Sequence, residues 1–321
     1  MTIWCNASFP EPAARLLRDE VHPHRLLYST EMQTLNLAGG GPDPLLAEAD
    51  IAFGQPKAEQ VMRLDRLRWI HLTSAGYTSY DREDLRDAFQ GRRAILTTSS
   101  TIYQEPCAEH ALAMMMALAR QLPRSLDEQR TRHSWETVEI RDGSRLLAGQ
   151  SVLLLSFGAI AQRLSQLLAP FNMNLTVVRR HVRGDEPVKA ITESQLNEHL
   201  PHADHVVNIL PSNSETKEFV NEQRFRSMKP GAIFYNIGRG TTVDQNALLA
   251  ALQTGHLAYA YLDVTDPEPL PPDHPLWTMP NCYITPHTAG GHDGEMENLV
   301  KHFLANLHRF TSGEDLVDRV I

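Results

Sequence analysis

The sequence predicts an α/β protein built on a doubly wound parallel sheet. Three observations carry this. From Lys57 onward, short apolar runs alternate with helical patterns. The runs are continuously apolar, as strands covered on both faces must be. One strand-to-helix turn carries the small residues that a bound pyrophosphate requires. With 321 residues, 42% hydrophobic and 21% charged, the chain is an ordinary globular protein, long enough to bury the cores of two domains.

The elements follow in order. Residues 67–73 (LRWIHLT) and 94–98 (AILTT) read as strands. Residues 105–122 read as a long helix, with Pro106 in its first turn and Ala111, Met114, Met115 and Leu118 on one face, ending before Pro123. Its methionine stripe reads as core. After a polar stretch over 124–149, the run SVLLL (151–155) is a buried strand, followed by a helix to about Ala169. LTVV (175–178), HVVNIL (205–210), AIFYN (232–236) and YAYLDV (259–264) are further strands, with a helix over 245–253 between the last two. No internal repeat or low-complexity segment interrupts the pattern.

Composition excludes several function classes. A formal net charge of -9 argues against a general nucleic-acid or anionic-membrane binder, so an anionic ligand needs a local basic cluster. Cys5, Cys107 and Cys282 are far apart and odd in number, which points to a reducing, cytoplasmic compartment and to core packing. The longest apolar stretch, 111–119, is far short of a membrane span, and the first twenty residues, with Glu11, Asp19 and Glu20 and no long apolar run, are not expected to form a signal peptide. The pairs His22/His24 and His202/His205 lack a third ligand and read as surface residues, so no metal site is expected. His133 and Trp135 read as packing at a domain border, with a place near the mouth of a site as the alternative that the family resemblance named below implies.

Between SVLLL and its helix lies SFGAIAQRL. The three positions of a GxGxxA turn are filled by Ser156, Gly158 and Ala161. A Cβ at Gly158 would block close approach of the backbone to a pyrophosphate, and Ala161 is small enough for helix–strand packing. Ser156 departs from the pattern, standing where glycine usually makes the tight turn. The pyrophosphate would lie on the helix N-terminus near Ala159 and Ile160. An ordinary strand-to-helix turn is the alternative. About 20 residues further on, where an NAD enzyme places an acid, the chain reads VVRRHVR with Arg179, Arg180 and Arg183. Guanidinium groups bind a 2′-phosphate, so NADP is expected over NAD, with a solvated charged loop as the alternative.

Three further segments put functional groups at or beyond strand ends: YNIGRGTTVDQNALLAAL with Arg239, LDVTDPEPLPPDHPLW with Glu268, and ITPHTAGG with His287. Together with WIHLTSAG (69–76), CAEHALAMMMALAR (107–120) and KPGAIFYN (229–236), they make the chain resemble the D-isomer-specific 2-hydroxyacid dehydrogenases, of the glyoxylate/hydroxypyruvate reductase kind, over nearly its whole length. The resemblance implies reduction of a small 2-keto acid. His287 would be the proton donor, paired with Glu268, and Arg239 would clamp the carboxylate and polarise the carbonyl. It implies that backbone N–H groups of Ala75 and Gly76 also hold the carboxylate. Asp263 would contact the nicotinamide amide, and Leu210, Pro211, Ile237 and Gly238 would line the cofactor.

The implied architecture is two Rossmann-like, doubly wound domains. A flavodoxin-like substrate domain (1–100 plus 287–321) receives the dinucleotide-binding domain (101–286) as an insertion. The helices from Glu105 and near 295–310 would cross between them, the site would lie in the cleft, and no regulatory domain is expected. A homodimer is the implied assembly. A formate-dehydrogenase-like activity is disfavoured, because that chemistry needs no proton relay and Glu268 is present. A non-catalytic, cofactor-sensing or interaction protein on the same fold is the other reading.

Overall fold

The computed structural model describes residues 1–34 and 40–321. It divides into two compact units: Met1–Tyr103 with Gly291–Ile321, and Gln104–Gly290.

The smaller unit holds a five-stranded parallel sheet. Its strands are β1 (Thr2–Ala7), β2 (Arg25–Gln33), β3 (Ile51–Phe53), β4 (Trp69–His71) and β5 (Ile95–Thr97), in the order β2-β1-β3-β4-β5. Successive residues of a strand face opposite sides, so β1 feeds two cores at once. Trp4 joins Ile70, Leu85 and Phe89 on one side. Ile3 and Cys5 join Phe53, Trp69 and Phe303 on the other. Phe303 comes from the helix Glu295–Ser312 and stacks on Phe53 with ring centres 4.2 Å apart. Strands β1 to β3 lie before the point where the sequence pattern becomes regular, and β2, RLLYSTEMQ, is largely exposed with little apolar signal.

The larger unit holds a seven-stranded parallel sheet. It is built from β6 (Ser151–Leu155), β7 (Asn174–Arg179), β8 (Lys189–Thr192), β9 (His205–Asn208), β10 (Ala232–Asn236), β11 (Leu257–Leu262) and β12 (Cys282–Ile284). The order is β12-β11-β10-β9-β6-β7-β8, so the winding reverses between β6 and β9. That reversal opens a crevice at the carboxyl ends of these strands, where open α/β sheets bind ligands. Both faces are covered: Val152 and Leu154 enter one core, Leu153 and Leu155 the other. The expected α/β class with parallel sheets is observed. β8 escaped the sequence reading because its residues, KAIT, begin with an exposed lysine and carry a weak apolar signal.

Several local expectations need correction. The long helix spans Ser100–Ala119, so it starts at Ser100 rather than Glu105 and Pro106 lies inside it. Its start is fixed from far along the chain. Asp318 accepts the Thr101 N–H and hydroxyl, each at 2.9 Å, and this external cap outweighs the local proline signal. Pro123 does not end that helix; it stands at the start of the next one, Leu122–Asp127, after Gln121 turns left-handed at φ 54°. His205 is not a surface residue: it is 1% exposed and its Nδ1 lies 3.0 Å from the Tyr235 hydroxyl. Burial pushes its imidazole down to about 4, so it is neutral. Trp135 does not pack at a border, being 94% exposed. All three cysteines are buried. Among the described residues, no helix is long and apolar enough to cross a membrane.

Asp318 ties the C-terminal tail to the helix start in the smaller unit, and His302 Nε2 lies 3.2 Å from its carboxylate. Burial works to raise this carboxyl, but the bonds from His302 and Thr101 prevail and hold it below the ordinary aspartate range. Its contribution is therefore complete above the unfolded value and is lost as pH falls through the lower folded one. Asp318→Asn is expected to lower the unfolding free energy by about 2 kcal/mol at neutral pH. Urea unfolding repeated at pH values below the ordinary aspartate range should find that gap shrinking, because the unfolded carboxyl is then protonated and the folded one loses its charge as pH falls further.

Candidate active site

Strand register sets the frame of the site. Val178 pairs with Leu155, Leu155 with Asn208, Asn208 with Asn236, Asn236 with Leu262, and Leu262 with Ile284. These residues form one row across the sheet. The loops leaving that row carry Arg179, Gly158, Leu210, Arg239, Asp263, Glu268 and His287. Parallel strands sit about 4.8 Å apart, so groups scattered along the sequence share one edge.

The turn carrying Ser156 and Gly158 leaves β6. Ser156 adopts φ 131°, a backbone region that L side chains rarely enter, and its Oγ accepts the Gly158 N–H at 3.3 Å. The turn is thus made by a serine under strain. Gly158 is the N-cap of the helix Ala159–Leu168, whose first N–H groups have no carbonyl within the helix. A Cβ on Gly158 would find only the Ser156 Oγ near it, at 3.8 Å, so the space above this backbone is open on the protein side. Ala161 is fully buried against the sheet. An uncovered glycine backbone at a helix N-terminus, at the sheet's reversal point, fits a dinucleotide pyrophosphate.

The basic cluster after β7 is not bare. Arg179 donates to Glu186 at 2.9 Å, and Arg180 pairs with Glu215 at the surface. Glu186 also accepts the N–H groups of Arg183 and Gly184. Those backbone bonds, with Arg179, hold its carboxyl down to about 2. The sequence reading counted three guanidinium groups and overlooked this carboxylate.

Arg239 stands on a buried polar network. Asn208 and Asn236, 0% and 1% exposed, end their strands side by side, with Asn208 Nδ2 donating to Asn236 Oδ1 at 2.9 Å. The Arg239 carbonyl accepts from Asn236 Nδ2 at 3.1 Å and from the Thr242 hydroxyl at 2.6 Å. Flanking glycines let three loops touch. A Cβ on Gly238 would meet the Leu210 carbonyl at 2.7 Å, and one on Gly240 would collide with the Thr265 carbonyl. Burial works against the Arg239 charge, and the Glu268 carboxylate supports it. Ile237 is buried beneath this loop, while Pro211 is exposed.

Glu268 Oε2 lies 3.0 Å from His287 Nδ1. Burial works to raise the Glu268 carboxyl. The bond and charge of His287, the Thr265 N–H and Arg239 together hold it below the ordinary glutamate range. Gln245 fixes the loop, its amide both donating to the Asp266 carbonyl and accepting the Asp266 N–H. His287 is left-handed at φ 53°, with its N–H on the Asp263 carbonyl at 2.8 Å. The Asp263 carboxylate, 3% exposed, accepts the Thr285 hydroxyl at 2.6 Å and the N–H groups of Thr288 and Ala289 at 2.9 and 3.1 Å. It therefore anchors the histidine loop, a role the sequence reading did not assign. This also explains why His287, expected to open the returning segment of the smaller unit, belongs to the larger one. Ala75 and Gly76 lie in the smaller unit, in the half-buried turn after β4, where the Ser74 hydroxyl donates to the Gly76 carbonyl at 2.6 Å.

The larger unit thus brings together a cation able to bind an anion and an imidazole able to carry a proton. Asn208, Asn236, Gln245 and Glu186 are the supporting groups that sequence reading missed. A repeated Asn at the carboxyl end of two neighbouring apolar strands was the available signal for the first pair.

Comparison with known proteins gives a consistent picture. Residues 112–289 match the family model described as D-isomer specific 2-hydroxyacid dehydrogenase, NAD binding domain. The glyoxylate/hydroxypyruvate reductase B of Shigella boydii is 30% identical over 246 residues, covering 76% of this chain and 75% of that protein. A D-isomer specific 2-hydroxyacid dehydrogenase family protein from Aeromonas salmonicida superposes with a TM-score of 0.78 at 28% identity, over 100% of this chain and 98% of that one. A D-isomer specific 2-hydroxyacid dehydrogenase from Xanthobacter autotrophicus, solved with NADPH and MES, gives a TM-score of 0.80 at 25% identity, over 100% and 98% of the two chains.

The strain at Ser156 is testable. Ser156→Gly should stabilise the protein by about 1 kcal/mol, relief of backbone strain outweighing the greater freedom of glycine in the unfolded chain. Urea unfolding would measure this; a loss of stability would mean that the Oγ bond to Gly158 matters more than the backbone.

Proposed function

The chain belongs to the D-isomer specific 2-hydroxyacid dehydrogenase family, and from that premise we propose that it reduces a small 2-keto acid, glyoxylate or hydroxypyruvate, with NADPH preferred over NADH. The observation that carries the reading is the pairing of His287 Nδ1 with Glu268 Oε2 at 3.0 Å, on the sheet edge that also bears Arg239.

With Nδ1 turned to Glu268, Nε2 is the ring nitrogen left to face a substrate. Its proton passes to the carbonyl oxygen, and the imidazolium that forms the pair with Glu268 becomes neutral imidazole. Arg239 holds the substrate carboxylate and draws electron density toward the carbonyl oxygen. Ala75 and Gly76 offer backbone N–H groups as further donors to that carboxylate. When bound, a nicotinamide cofactor supplies the hydride for the carbonyl carbon. Gly158 and the helix start at Ala159 and Ile160 hold its pyrophosphate, and Arg179 and Arg180 its 2′-phosphate. Leu210, Pro211, Ile237, Gly238 and Asp263 line the remainder. The open backbone at Gly158 supports this assignment.

The larger unit is assigned the cofactor and the smaller one the further carboxylate donors. The cytoplasm fits three buried cysteines. Exposed apolar side chains in the larger unit support a homodimer: Leu122, Leu126, Trp135, Val138 and Leu146 are 51%, 46%, 94%, 65% and 68% exposed within a short stretch of chain. A second copy of this chain would cover them.

His287→Asn should lower turnover of glyoxylate and hydroxypyruvate by roughly a hundred- to ten-thousand-fold, with NADPH affinity nearly unchanged. Following NADPH absorbance across a panel of 2-keto acids checks this. Absence of turnover in the wild type, alongside measurable cofactor binding, would favour the sensing role instead. Trp135→Glu should shift the light-scattering mass from dimer toward monomer; an unaltered mass places the contact elsewhere.

A further inference from the structure

β7 ends on Arg179, and the loop after it folds back onto that residue through one carboxylate. Glu186 Oε1 accepts the Arg183 N–H and Arg179 Nη1, each at 2.9 Å, while Oε2 accepts the Gly184 N–H at 2.8 Å. The Glu186 side chain is only 3% exposed, although the loop between reads as solvated, with Arg180, His181, Arg183 and Asp185. On its other side Arg179 meets Phe157, the residue between Ser156 and Gly158 in the nucleotide turn; its guanidinium carbon is 5.7 Å from the ring centre. The guanidinium is therefore held between a buried carboxylate and an aromatic ring. Glu186 occupies one of its nitrogens, which leaves further N–H donors for a ligand.

An acid near this strand end ordinarily takes the ribose 2′-hydroxyl. Here an acid is present, but both of its oxygens are spent inside the loop. We propose that Glu186 is a positioning residue for cofactor discrimination, holding Arg179 and the 183–184 turn in the arrangement that receives the 2′-phosphate of NADPH. The proposal rests on the reading of Arg179 as the phosphate-binding residue. An arginine on a flexible loop loses rotamer freedom each time it binds a phosphate, and a guanidinium already fixed does not. A carboxylate facing a phosphate would repel it; a buried one with both oxygens bonded orders the arm instead. The opposing effects make the sign of a charge-removing substitution decisive.

Equilibrium binding of NADPH, NADH, 2′,5′-ADP and ADP, measured by calorimetry on wild type, E186Q, E186D, R179A and R179A/E186Q, tests this. E186Q is expected to weaken NADPH and 2′,5′-ADP by about tenfold while NADH and ADP stay within about twofold. E186D, which keeps the charge on a shorter arm, should recover part of the loss and serves if E186Q folds poorly. R179A/E186Q should bind NADPH no more weakly than R179A, because both residues act through one guanidinium. Equal weakening of both ligand pairs by E186Q would reduce Glu186 to a structural clip, and tighter NADPH binding would make it an opponent of the phosphate; either overturns the proposal. R179A reports separately on the underlying reading. An unchanged NADPH-to-NADH ratio in R179A sinks that reading, whereas a lowered ratio in R179A with none in E186Q sinks only the role of Glu186.

Discussion

The candidate site depends on one constraint, the register of the seven-stranded parallel sheet. Because Val178, Leu155, Asn208, Asn236, Leu262 and Ile284 lie in one hydrogen-bonded row, the loops after them leave at the same height. A slip of one residue would turn each side chain of the slipped strand to the opposite face. Buried on both faces, these strands cannot slip without exchanging the two cores, and the row is held by apolar packing far larger than the energy of any loop. Side chains more than a hundred residues apart in sequence, such as Arg179 and His287, thereby reach one sheet edge.

On that edge, polar groups replace apolar ones at the strand ends. Asn208 and Asn236 bury amides that would be costly if unpaired, and their bonds to each other, to Thr242 and to the Arg239 carbonyl offset the cost. Asp263 does the same for the loop of His287, accepting three of that loop's donors with one carboxylate. Both arrangements spend buried polarity on backbone position. Two of the non-glycine residues with positive φ lie there too, Ser156 and His287, and each is held by a hydrogen bond to its own loop or to the neighbouring strand end. The glycines at 238 and 240 bring neighbouring loops into backbone contact, so that Arg239 emerges between Leu210 and Thr265. The paired carboxylates of Glu268 and Glu186 then set the charge around His287 and Arg179.

Much of this was legible in the chain. Continuous apolar runs such as SVLLL and AIFYN announce strands covered on both sides, and the order of Arg239, Glu268 and His287 along successive strand ends announces a shared edge. The departure at Ser156 was legible as well, since only a backbone need explains the glycine it replaces. Other features were not. β1 to β3 and β8 form because neighbouring strands accept their backbones, a condition no local pattern records. The helix Ser100–Ala119 begins where Asp318 caps it, more than two hundred residues away, so its first turn overrides the local signal at Pro106.

The sequence alone therefore determined the α/β class and the strand-end positions of Gly158, Arg239, Glu268 and His287, because periodicity and local residue chemistry are properties of short segments. The tertiary structure decided how those groups are held. That Arg179 is clasped by Glu186, that the Asp263 carboxylate anchors the His287 loop, and that His205 is neutral in the core follow from contacts through space. Hydrogen bonding and desolvation act through space, and the order of residues along the chain does not encode them one by one.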